Sequence, residues 1–66
     1  MEPAESSDDA EAAYEYLVHQ ATGMVMVQTQ LSPEDALRRL ENSARAANIP
    51  RYRLAEEVIA RRVTFD

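Results

Sequence analysis

Residues 13–40, "AYEYLVHQATGMVMVQTQLSPEDALRRL", decide the fold, because an amphipathic run, a stop and a fresh helix start follow one another within them. At a helical advance of about 100° per residue, Tyr14, Leu17, Val18, Ala21, Met24 and Val25 fall in a stripe about 120° wide, the width of a face packed on a core. Ser32 is then a good N-cap and Pro33 suits the first helical position. Glu34 and Asp35 complement the helix dipole, with Asp35 where a capping-box acid would stand. The pattern predicts one helix running to about Thr29 and a second opening at Pro33.

The first of these helices has a second face. Ala12, Tyr16, His19, Gly23, Met26 and Gln30 recur by fours and threes, the spacing of a coiled-coil seam. Gly23 is the only glycine of the chain. Within a helix it costs about 1 kcal/mol relative to alanine. Either the helix kinks there, or another backbone or a ligand comes close where no side chain intervenes. The seam position favours close approach. His19 has no carboxylate or second histidine beside it on that seam and reads as a packing or register residue. Ala12, Tyr16, His19, Gly23 and Met26 are therefore the expected dimer interface.

Working outward, residues 1–7 are polar and acidic and are expected to be disordered, with Ser7 or Asp8 capping the first helix. On the other side, Ala36, Leu37, Leu40, Ser43, Ala44 and Ala47 form the inner stripe of the second helix. Asn48-Ile49-Pro50 ends it, since a residue before proline is biased away from the helical region. Pro50 can open a third helix through about Val63, with Tyr52, Leu54, Ala55, Val58, Ile59 and Val63 on its apolar side. Nothing alternates with period two for long enough to make a strand. The expectation is an all-α three-helix bundle over residues 8–66, with a long N-terminal helix able to form a coiled coil.

A chain of 66 residues without cysteine has neither a large core nor disulfides to support it. Such a small domain buries only about 60% of its unfolded surface, and association is the common supplement. The net charge of −5 is uneven: residues 1–18 carry six acids and no base, whereas residues 19–66 carry six acids and seven arginines. That distribution permits a local phosphate-binding patch despite the overall acidity. No apolar run approaches the ~20 residues that span a bilayer, and the N-terminus is acidic where a secretory signal would be basic. No membrane partner and a cytoplasmic location are expected. With one histidine, no cysteine, no glycine-rich phosphate loop and no metal-ligand spacing, neither an enzyme nor a cofactor or metal site is expected. The acid pairs read as solvated helix faces, with Glu34–Arg38, Asp35–Arg39 and Glu57–Arg61 at the i, i+4 spacing.

The words "QATGMVMVQTQLSPEDALRRLENSARAANIP" and "LAEEVIARR" resemble the ANTAR domain, an RNA-binding antitermination module of bacterial regulators. The carrying residues are Ala21, Gly23, Met24, Val25 and Met26, then "LSPEDAL", the Ala44 to Asn48 stretch, and Leu54, Ala55, Val58 and Ile59. The resemblance implies a three-helix domain, often with an extended first helix, that works as a dimer and binds paired hairpin loops in nascent messenger RNA. Thr22 stands where members commonly carry Lys or Arg, and "PRYR" stands where a leucine is usual, so Tyr52 or Ile49 is expected to fill that position. No receiver or ligand-sensing segment precedes the module in this sequence, so a separate sensor or receiver protein is a candidate partner.

The expected RNA surface follows from the stripes. The inner stripe of the second helix centres on Leu40, so Arg38, Asn42 and Arg45 point outward with Arg39 beside them. Arg53 points away from the third helix's apolar side, and the resemblance adds Thr22. Arginine suits this task because its planar fork pairs with phosphate and stacks on unpaired bases. The alternatives are a protein-interaction or dimerisation module of the same fold without RNA binding, and DNA binding by a helix-turn-helix-like pair, which the acidity opposes.

Overall fold

Three stripes of small and branched side chains meet at the centre of the molecule. In this computed structural model, which describes residues 3–65 and the side chains of residues 10–65, the chain forms α1 (Pro3–Thr29), α2 (Pro33–Ala47) and α3 (Arg51–Ile59). No strand occurs among the described residues. The all-α three-helix architecture expected from the sequence is the one observed.

The core takes Val18, Ala21 and Val25 from α1, Ala36, Leu40 and Ala44 from α2, and Leu54, Ala55 and Val58 from α3. Leu40, Val25 and Val58 are the largest fully buried side chains, one from each helix. Four alanines among these positions let the helix axes approach, so a chain with few large apolar residues still closes a core. Tyr52 and Ile49, the two candidates for the leucine position, are both half-buried against this cluster.

The junctions explain the helix bounds. Ser32 caps α2 as expected, its hydroxyl accepting the Asp35 N–H at 3.2 Å. α1 and α2 pass directly into a left-handed residue that is not glycine, Gln30 and Asn48, with φ of 62° and 61°, and α3 does so one residue later, at Arg61 with φ of 64° after the right-handed Ala60. Each turn returns an amide to the helix just ended, as in Ile49 N–H to the Ala44 carbonyl at 3.0 Å and Arg62 N–H to the Glu57 carbonyl at 2.9 Å. This stop makes α3 shorter than expected, ending at Ile59 rather than near Val63, with Pro50 as its cap rather than its first residue. α1 begins at Pro3, so Ser7 and Asp8 lie within it instead of capping it. Of the acidic segment 1–7, Met1 and Glu2 lie outside the described residues.

Gly23 lies inside an uninterrupted α1 and has no positive φ. The expected alternative of a helix break is therefore not what occurs. A Cβ built at Gly23 would meet nothing within 4 Å, so no neighbour among the described residues accounts for the glycine.

Candidate nucleic-acid interface

The outward face of α2 follows from its inward one. With Ala36, Leu40 and Ala44 buried at four-residue intervals, Arg38, Asn42 and Arg45 come out on the opposite side, and all three are exposed. Arg38 Nη1 donates to Asp35 Oδ1 at 2.9 Å, and Arg45 Nη1 reaches Asn42 Oδ1 at 3.4 Å. Leu31, Asp35, Arg38, Arg39, Asn42 and Ser43 border a shallow recess of about 400 Å³. The guanidinium of Arg39 lies over the ring of Phe65, 5.5 Å from its centroid. Four of the six expected RNA residues are thus brought together, three around one recess and Arg45 joined to it through Asn42.

The other two are not. Thr22 is buried at 8% exposure, and its hydroxyl donates to the Val18 carbonyl at 2.7 Å. Its position in α1 is only about 40° from Val18 at ~100° per residue, so it faces the core flank rather than a ligand. Arg53 is exposed on α3, with Nε 3.8 Å from Glu56, and does not border the recess.

The ion pairs also differ from the i, i+4 set. Asp35 pairs with Arg38, three residues on. Glu57 takes Arg62 in two hydrogen bonds, at 2.8 and 3.1 Å, because the left-handed turn at Arg61 carries the chain back over the helix end. Hydrogen bonding from Arg62 holds the Glu57 carboxyl below its ordinary range, and Glu57 raises Arg62 in turn. All of these pairs are exposed and screened by solvent, so a phosphate can compete for the arginine.

On the far side, Tyr14 of α1 stacks on Tyr52 of α3. Arg51, which the sequence reading did not single out, bonds Glu41 of α2 and lies 3.7 Å from Glu15 of α1, tying all three helices. Its value is tertiary, and no local pattern announces it. A larger groove of about 620 Å³ lies here, but Glu11 and Glu15 outweigh Arg51 in its lining and leave it the wrong sign for phosphate.

The expected dimer residues divide. Ala12, Tyr16, His19 and Gly23 are exposed on α1, whereas Met26 is half-buried and packs against the core cluster. Val27, at 81% exposure, lies on that outer side, a position the seam reading missed. His19 does have a carboxylate neighbour, Glu15 one turn earlier at 3.6 Å.

Among the described residues no group of His, Cys, Asp and Glu could hold a metal ion, and no helix is long and apolar enough to cross a membrane. Compared with known families, residues 9–59 match the model of the ANTAR domain. Comparison with curated proteins and with solved structures gives no match.

Proposed function

This chain belongs to the ANTAR domain family, and on that premise we propose that it is a transcription antitermination regulator that binds paired hairpin loops in nascent RNA as a dimer. The ANTAR domain is associated with RNA-binding antitermination regulators. The observation that carries the reading to this chain is the placement of Arg38, Asn42 and Arg45 along one exposed face of α2, with Arg39 beside them. The first three alternate a cation, an amide and a cation on successive turns. Their guanidiniums suit phosphates, and the amide suits a base edge. Hairpin loops expose unpaired bases, and proteins read RNA sequence mainly in such elements.

Dimerisation supplies what one copy lacks. A two-hairpin target presents two similar loops, and two copies joined through α1 present two similar arginine faces. Exposed Tyr16 and Val27, at 66% and 81%, and the unoccupied space at Gly23 support association along the outer side of α1.

The test is the composition of the complex. RNA bearing two adjacent hairpins is titrated with the chain, and the mass of the complex is measured in solution. Two chains per RNA, with much weaker binding to either hairpin alone, is the expected result. Absence of binding to any hairpin pair at low salt overturns the reading and leaves a protein-interaction module of the same fold.

A further inference from the structure

Phe65 lies outside residues 9–59, the span that carries the family match. It is nevertheless buried. Its backbone N–H donates to Gln28 Oε1 at 2.9 Å, and its ring lies beneath the guanidinium of Arg39. The segment after α3 is thereby fastened to the end of α1 by one hydrogen bond and to α2 by one ring contact. Arg39 is itself exposed and borders the recess beside Arg38 and Asn42.

An arginine that must be immobilised on binding loses rotamer freedom, and one already resting on a ring has lost part of it beforehand. The ring is one of the contacts that set where the guanidinium stands relative to the recess. We infer that Phe65 is a positioning residue of the RNA surface: it holds Arg39 over its ring so that an unpaired loop base stacks on that guanidinium, while Arg38 and Arg45 take phosphates. This rests on the RNA-binding reading and adds to it a division of labour and a residue beyond the matched span. Phe65 touches no RNA; its effect passes through Arg39.

The experiment is a double-mutant cycle on the full chain, with two-hairpin RNA as the probe and the same RNA carrying abasic loops as the control. Phe65→Leu keeps an apolar plug and removes the ring. It is expected to weaken binding about three- to fivefold, the cost of the rotamer freedom that Arg39 must then give up on binding. Phe65→Tyr keeps the ring and should bind like the parent. In an Arg39→Gln background, Phe65→Leu should have no further effect, and with abasic loops it should have none in either background. Equal losses in both backgrounds would make Phe65 merely structural and overturn the inference while leaving RNA binding intact. Failure of the parent chain to bind the two-hairpin RNA overturns both.

Discussion

The rings of Tyr14 and Tyr52 stack with centroids 3.9 Å apart and planes 13° from parallel, fastening the middle of α1 to the start of α3. Tyr14 remains 40% exposed, so the pair works at the edge of the core rather than within it. Aromatic pairs contribute about 0.5–1.5 kcal/mol beyond the area they bury. Tyr52→Leu, which retains apolar bulk and loses the stack, should destabilise the domain by about 1 kcal/mol in urea denaturation. Repeating it in a Tyr14→Leu background should cost far less. Additive losses would mean that the stack contributes nothing of its own.

The helix stops and the glycine make a second prediction. Arg61 and Gln30 hold left-handed conformations that cost a non-glycine residue about 1 kcal/mol, while Gly23 occupies an ordinary helical site where alanine is better by a similar amount. Arg61→Gly and Gly23→Ala should each raise the stability of the monomer by about 0.5–1 kcal/mol. Gly23→Leu should spare the monomer, since a Cβ meets nothing there, yet weaken self-association seen by sedimentation. Unchanged association would remove Gly23 from the interface.

These positions also show what the sequence could disclose. The Ser32-Pro33 start and the stripes of α1 and α2 are local, so spacing and capping chemistry sufficed. Thr22 was readable too: its helical angle puts it beside Val18, but the resemblance drew it toward the RNA. The end of α3 was not readable, because arginine carries no signal for a left-handed turn. Phe65 beneath Arg39 and Arg51 between Glu15 and Glu41 join distant segments, and no period encodes them. Met26 lies on the flank between core and seam, and its half-burial against the bundle is a tertiary fact that the seam spacing does not carry.

Acidification gives a third prediction. The folded Glu57 carboxyl titrates below its ordinary range because Arg62 bonds it. A carboxyl depressed on folding contributes stability above the unfolded carboxylate pKa, and that contribution is lost as pH falls through the folded value. The parent should therefore lose melting temperature across the acidic range more steeply than Glu57→Gln. Parallel curves for the two proteins would show that the pair, which is exposed, has no net effect.

The central claim is that the outward face of α2 binds RNA, and its most direct measurement is the affinity of Arg38→Gln/Arg39→Gln/Arg45→Gln for two-hairpin RNA across a salt series. Melting should fall only slightly, since these side chains are exposed and give up only surface contacts, to Asp35 and to the Phe65 ring. Binding should weaken strongly, and the slope of log affinity against log salt should flatten by about 0.7–0.9 for each phosphate contact removed. Affinity and slope equal to the parent's would contradict the claim.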